Sequence, residues 1–96
     1  MLHIIATTAG HDTLFKRIAP GDTLLFIADA VLSLHKNSLS AKKLLAYCPH
    51  FKCYALEADL LARGLTADDI LAEIKQVDYS GFVTLTVENA VIKTWN

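Results

Sequence analysis

The sequence predicts an α/β fold of three layers, in which helices lie on both faces of a mainly parallel sheet of about five strands. Short apolar runs that suit buried strands alternate along the chain with segments whose apolar residues recur at helical spacing. The length of 96 residues is that of one small domain, so residues 1–96 are expected to form a single unit.

The composition argues against several classes of protein and favours a subunit of an assembly. Apolar residues make up 53% of the chain and charged residues 20%, with a formal net charge of −1. This aliphatic content argues against disorder, and the near-neutral charge argues against direct binding of nucleic acid. No apolar run suits a membrane span and no basic start suits a secretory signal, so a cytoplasmic location is expected. So small a domain is expected to place part of its apolar surface in a subunit interface.

The first quarter of the chain predicts two strands and a helix between them. Residues 2–6 (LHIIA) form an apolar run typical of a buried strand, and Asp12 can cap the helix that follows. The turn at 20–22 (PGD) ends that helix. Residues 23–28 (TLLFIA) are apolar on both faces, as expected of a central parallel strand.

The middle of the chain continues the alternation. Ser38 or Ser40 can cap a helix that Pro49 ends, and residues 51–56 (FKCYAL) are typical of a third strand. Residues 57–63 then favour a short helix closed by Gly64.

Two weaker features follow this helix. Thr66 is expected to cap a further turn through Asp68, Asp69 and Glu73, whose negative charges suit the positive end of a helix. Residues 74–77 are a candidate fourth strand.

The segment after Asp78 admits two interpretations. Val83, Leu85 and Val87 alternate with polar residues, which taken alone favours a strand. A cap at Asp78 followed by apolar residues at helical spacing favours a helix. We prefer the helix, because residues 91–95 (VIKTW) suit the last strand and the alternation of the chain is then kept.

The two cysteines are the only weak candidates for catalytic residues. Cys48 and Cys53 lack the spacing of a metal or dithiol motif, so no metal site and no cofactor are expected. Cys53, inside a strand, is expected to be a buried core residue. Cys48, at a helix end, is expected to be more exposed and to have a raised pKa, because the carboxyl end of a helix carries negative partial charge. A catalytic His–Cys pair of His50 with either cysteine is a further alternative, but the turn geometry disfavours it.

Two carboxylates have specific expectations. Asp29 follows the carboxyl end of a buried strand, where open α/β sheets bind ligands, although a cap of the next helix is the more ordinary role. Asp59 and Arg63 are four residues apart and are expected to form an exposed ion pair that contributes at most a few tenths of a kcal/mol. The chain has no glycine-rich nucleotide-binding motif.

Three blocks of the sequence carry a family resemblance. The chain begins MLH directly before its first strand, residues 54–64 read YALEADLLARG, and residues 77–86 read VDYSGFVTLT, with Trp95 close behind. In this order and over essentially the whole length, the chain resembles the DsrH/TusB family, the small subunits of DsrE-like sulfur-relay complexes.

The resemblance implies a role for the chain. It implies a DsrE-like fold and a hetero-hexamer with related DsrE/TusD-type and DsrF/TusC-type subunits. Such a complex passes persulfide sulfur between sulfur-carrier proteins for 2-thiouridine formation at the tRNA wobble position. The main acceptor cysteine belongs to the DsrE/TusD-type subunit, so this chain is expected to be a non-catalytic subunit.

One departure separates the two branches of the family. DsrH members that act in dissimilatory sulfur oxidation have a cysteine in the first helix, whereas residues 12–19 (DTLFKRIA) contain none. A TusB-like role therefore fits better than a DsrH-like one, and a persulfide on Cys48 or Cys53 remains the enzymatic alternative. Trp95, Tyr79 and Phe82 are the candidate interface residues, because aromatic side chains are enriched among interface hot spots.

Overall fold

Five parallel strands form one sheet in the computed structural model of the chain, which describes residues 1–8 and 11–95. The strands are β1 (Leu2–Ile5), β2 (Thr23–Phe26), β3 (Lys52–Leu56), β4 (Lys75–Val77) and β5 (Ile92–Trp95). They lie in the order β4-β3-β2-β1-β5, and each neighbouring pair is parallel. The predicted α/β class is therefore confirmed.

Four α-helices connect or follow these strands. They are α1 (His11–Arg17), α2 (Leu39–Leu45), α3 (Glu57–Ala62) and α4 (Tyr79–Glu88). A 3-10 helix at Ala28–Leu34 follows β2, and a 3-10 turn at Cys48–His50 precedes β3. The predicted helix between the third and fourth strands ends at its expected place, where Gly64 adopts a φ of +70° that favours glycine.

The strand order explains why helices lie on both faces. From β1 to β4, each successive strand is added on the same side of the one before. The connection from β4 to β5 runs back across the whole sheet in the opposite direction. Because parallel crossovers are right-handed, α4 must lie on the face opposite to α1, α2 and α3. The result is the predicted three-layer arrangement.

The two faces have cores of very different size. The larger core lies between the sheet and the first three helices, and includes Phe15, Phe26, Leu34, Leu44 and Leu60. The smaller core lies between the sheet and α4 and consists of Leu2, Ile4, Leu25 and Leu85, with Phe82 and Tyr54 packed against it. A single helix thus covers one face of the sheet.

The helix α4 confirms the preferred interpretation of the segment after Asp78. The Asp78 carboxylate accepts a hydrogen bond from the Gly81 backbone N–H at 2.8 Å, which satisfies one of the free amides at the helix start. A Cβ atom added at Gly81 would lie 3.0 Å from the Cβ atom of Val77, so the glycine allows the helix to begin close to β4.

The structure decides between the two predicted caps of α2 and corrects one other local expectation. Ser38, and not Ser40, caps α2, with its Oγ accepting from the Ala41 N–H at 3.0 Å. Thr66 does not cap a turn. Instead the Asp69 carboxylate accepts hydrogen bonds from the Thr66 backbone N–H at 2.8 Å and from its hydroxyl at 3.0 Å. A carboxylate has no proton to donate and accepts more strongly than a hydroxyl, so the acidic residue takes the acceptor role.

Candidate functional site

The two cysteines are neighbours in the folded chain. Cys53 lies on β3 with its side chain in the larger core and only 5% of its surface exposed, as predicted. Cys48 begins the 3-10 turn before this strand and is half-buried. The turn folds back toward the strand, so the two Sγ atoms lie 3.9 Å apart.

This contact reverses the expected behaviour of Cys48. The hydrogen bond that it shares with Cys53 lowers the pKa of the Cys48 thiol, although partial burial and the negative charge of Glu73 act in the opposite sense. The same hydrogen bond, together with burial, raises the pKa of Cys53. The prediction of a raised pKa for Cys48 is therefore wrong, because the sequence did not reveal that a second thiol lies within hydrogen-bond distance. Cys48 is the thiol that ionises first.

A cavity of about 290 Å³ lies beside Cys53. Cys53 lines it at the start of β3, and the charged residues in its wall are Lys52, Glu73 and Lys75. Glu73 is also the acidic group whose charge acts on Cys48. Cys53 therefore borders a polar recess with charges of both signs.

A second cavity, of about 310 Å³, lies beyond the carboxyl end of β1, where α/β sheets commonly bind ligands. Its wall includes Thr8 and the side chains of His11, Ser40 and Lys43. The His11 Nε2 atom lies 2.6 Å from the Thr7 carbonyl oxygen, which can only accept, so Nε2 carries a proton. No sequence motif singles out His11. The polar loop after the first strand was the signal that could have indicated this cavity.

Asp29, the carboxylate that the sequence placed at the carboxyl end of the sheet, lines neither of these cavities. Its side chain is 69% exposed and pairs with the Arg63 guanidinium at 2.9 Å. It makes no capping hydrogen bond at the start of the 3-10 helix, since that position is Ile27. Asp29 therefore neither lines these two cavities nor caps the next helix, and instead forms a surface ion pair.

Asp59 has a role that the sequence did not reveal. Its Oδ1 atom lies 3.8 Å from Arg63, as expected of the predicted pair, but its Oδ2 atom accepts a hydrogen bond from the Ala28 backbone N–H at 2.7 Å. Ala28 has a φ of +51°, in the left-handed region that costs energy for a residue with a Cβ atom. The expectation of a merely exposed pair is corrected, because Asp59 fixes a strained turn 31 residues away.

Trp95 takes part in a partly buried polar chain. Its indole N–H donates to His3 Nδ1 at 3.1 Å, and His3 Nε2 lies 3.0 Å from Asp22 Oδ2. Because the indole can only donate, Nδ1 must be the acceptor, and Nε2 donates to the carboxylate. Burial raises the pKa of Asp22, but the hydrogen bond with His3 and the nearby N-terminal charge outweigh it and lower the pKa below its usual value.

The three aromatic interface candidates do not form one cluster. Tyr79 and Phe82 stack on α4 with ring centroids 6.0 Å apart, and Tyr79 is 76% exposed. Trp95 packs against the larger core, at the opposite edge of the sheet from β4. Exposed apolar residues accompany both groups. Val83 and Val87 lie on α4 with Tyr79, and Val91 and Ile92 lie where β5 begins.

Two kinds of site receive no support from the described part of the chain. Within residues 1–8 and 11–95, no three His, Cys, Asp or Glu side chains lie close enough to hold a metal ion. No helix in the same ranges has the length and apolar character that crossing a membrane requires.

Comparison with known proteins gives a consistent result. The family described as "DsrH like protein" matches residues 6–92. "Protein TusB" of Pectobacterium parmentieri is 33% identical over 98 aligned positions, which cover 99% of this chain and 100% of that protein. "Protein TusB" of Shigella flexneri is 38% identical over 82 positions, which cover 85% of this chain and 83% of that protein.

The fold is shared with a solved structure. A protein of unknown function from Methanobacterium thermoautotrophicum superposes with a TM-score of 0.79 over 98% of this chain and 96% of that one. The two sequences are 15% identical, so this likeness bears on the fold alone.

Proposed function

The chain belongs to the DsrH-like family, and on that premise we propose that it is a non-catalytic subunit of a cytoplasmic sulfur-relay complex. The complex passes persulfide sulfur between carrier proteins for 2-thiouridine formation at the tRNA wobble position. The match over nearly the full length to proteins named TusB is the observation that carries this proposal.

The residues of the chain support a role without group transfer. The helix α1, which holds a cysteine in DsrH members of the sulfur-oxidising branch, contains none here. Cys53 is buried with a raised pKa, which suppresses its nucleophilic form. A DsrH-type role in dissimilatory sulfur oxidation is less well supported for the same reason.

The partners in this proposal are DsrE/TusD-type and DsrF/TusC-type subunits in a hetero-hexamer. The outer face of α4 suits such a contact, because it exposes Tyr79, Val83 and Val87 and has no charged residue before Glu88. Large exposed apolar surfaces commonly mark protein interfaces. The Phe82 ring stacks against the Tyr79 ring. Trp95 is a second, separate candidate contact at the β5 edge.

Coexpression with the two partner types tests the assembly. Tyr79→Ser is expected to weaken the complex by about 30-fold, the equivalent of a hot-spot loss of about 2 kcal/mol. Leu61→Ser is the matched control. Leu61 is exposed like Tyr79, at 66%, but it lies on α3, on the opposite face of the sheet. Size-exclusion chromatography and titration measure the affinity. If both variants bind the partner subunits with equal affinity, the proposal that α4 lies in the interface is wrong.

Trp95→Ala tests the second contact in the same assay. Sizing and thermal melts are measured on one preparation, because Trp95 also contacts its own subunit through His3. A complex that weakens more than the isolated fold supports the interface role. Intact assembly with a large loss of melting temperature would refute it.

Deletion of the gene tests the function itself. The 2-thiouridine content of tRNA, measured by mass spectrometry of nucleosides, is expected to fall on deletion and to return with the wild-type chain. It is also expected to return with a Cys48→Ser, Cys53→Ala double variant, since the proposal assigns no sulfur transfer to these residues. Normal 2-thiouridine without the chain would contradict the role in tRNA thiolation.

The proximity of the two sulfur atoms favours one second candidate, a subunit that itself carries a persulfide on Cys48 or Cys53. Incubation with a persulfide donor followed by intact-mass measurement separates the two proposals. A stoichiometric gain of one sulfur atom that is lost in the Cys48→Ser variant would replace the non-catalytic role.

A further inference from the structure

The two thiols have unequal access and unequal mobility. Cys53 belongs to β3, where it pairs with Leu24 of the neighbouring central strand, and its side chain is 5% exposed. Cys48 lies outside the sheet, in the three-residue turn at Cys48–His50, and is half-buried. A reagent from solvent therefore meets Cys48 first, and Cys48 is the partner that can move.

The distance between the sulfur atoms is short enough for them to react with each other. They lie 3.9 Å apart, whereas a disulfide needs about 2 Å, so closure requires an approach of about a further 2 Å. Rotation of the Cys48 side chain and a small shift of its turn can supply this approach, because only the turn and not β3 has to adjust. Both cysteines are reduced in this structure.

We propose that Cys48 and Cys53 form a thiol–disulfide exchange site in which Cys48 attacks a small disulfide and Cys53 resolves the mixed disulfide. The inference does not rest on the proposed function in sulfur relay. It assigns to the chain a reversible two-electron oxidation whose oxidant is a low-molecular-weight disulfide, written RSSR.

The exchange proceeds in two balanced steps. The Cys48 thiolate attacks one sulfur of RSSR, forms a Cys48–S–S–R bond and releases the other half as a thiolate, which takes up a proton. Cys53 then loses its proton, attacks the Cys48 sulfur and expels the second half of the reagent. The protein loses two electrons and two protons overall, and RSSR is reduced to two RSH.

The polarity of the pair favours this order of attack. The contact that raises the pKa of Cys53 lowers that of Cys48, so the more exposed of the two thiols supplies the thiolate for the first step. The recess of about 290 Å³ that Cys53 lines presents Lys52 and Lys75, whose positive charges suit the carboxylates of a reagent such as oxidised glutathione. The negative charge of Glu73, in the same wall, disfavours a reagent that carries a large negative charge.

The test uses the intact chain, oxidised glutathione and mass spectrometry after rapid acid quenching and alkylation. The wild type is expected to lose two hydrogen masses and to have both thiols blocked together, without accumulating a glutathione adduct. Cys53→Ala, which preserves a small apolar residue in the core, is expected to accumulate one glutathione per chain on Cys48. Cys48→Ser is expected to react at least about 10-fold more slowly than the wild type, because the remaining thiol is buried.

Several outcomes would overturn the proposal. A stable glutathione adduct on the wild type would show that Cys53 does not resolve it. Covalent dimers on a non-reducing gel would show that Cys48 pairs between chains instead. Equal rates for Cys48→Ser and wild type would remove Cys48 from the first step. Circular dichroism of both variants verifies that they are folded, so a failure of exchange is distinct from a failure to fold.

Discussion

Removal of the Asp59 carboxylate is expected to destabilise the chain far more than loss of a surface ion pair would. Asp59 Oδ2 accepts the Ala28 N–H at 2.7 Å, and the Asp59 side chain is 28% exposed. Hydrogen bonds to charged groups contribute about 1.5–3 kcal/mol to stability, and partial exposure places this one in the lower half of that range. Asp59→Ala is therefore expected to cost about 2 kcal/mol. That corresponds to a fall of roughly 8–16 °C in melting temperature for a domain of this length.

Urea unfolding of three variants measures this cost against matched controls. Asp59→Asn keeps an uncharged acceptor and is expected to cost about half as much as Asp59→Ala, since neutral hydrogen bonds are weaker. Asp29→Ala removes the other carboxylate that pairs with Arg63 and is expected to cost less than about 0.5 kcal/mol, because Asp29 is exposed. If Asp59→Ala is no more destabilising than Asp29→Ala, the hydrogen bond to Ala28 does not stabilise the turn and the reasoning fails.

Three further predictions concern backbone strain, acid stability and thiol reactivity. Ala28→Gly is expected to stabilise the chain by up to about 1 kcal/mol in urea unfolding, because relief of the left-handed conformation exceeds the added entropy of the unfolded state; a destabilised variant would contradict this. The pKa of Asp22 is lower in the folded chain than its unfolded value of about 3.9, so its stabilisation is complete above that value and lost as pH falls through the folded pKa. Asp22→Asn should flatten the pH dependence below about pH 4, and an unchanged slope would argue against the lowered pKa. With iodoacetamide at neutral pH, Cys48 should be alkylated well before Cys53 in peptide-resolved mass spectrometry; the reverse order would refute the assigned burial and polarity.

The sequence was sufficient for features that depend on residues close together in the chain. The apolar run at 23–28 predicted the central strand β2, and the cap at Asp78 predicted the start of α4. Together with right-handed crossovers, these local signals are enough for an α/β sheet with helices on both faces. They do not give the order of the strands, which depends on how the crossovers pack.

The features that the sequence missed join residues that are distant in the chain or separated by a turn of unknown geometry. Trp95 and His3 are 92 residues apart, and Asp59 and Ala28 are 31 apart, so no periodicity could have paired them. Cys48 and Cys53 are close in the chain, but their contact depends on the fold of the turn at Cys48–His50. That contact lowers the pKa of Cys48. Because the sequence did not reveal the contact, the predicted direction of the shift was wrong.

The position of β1 between β2 and β5 has a consequence for how the chain folds. Every residue of β1 is buried, yet one side of this strand is completed only by the last of the five strands to be made. While β5 is still undocked, β1, β2, β3 and β4 can assemble and leave β1 as an apolar edge with unpaired backbone groups. Such an edge is a template for pairing with other chains. The partly folded chain is thus expected to be most prone to aggregation, and most dependent on chaperones, in the interval before β5 docks.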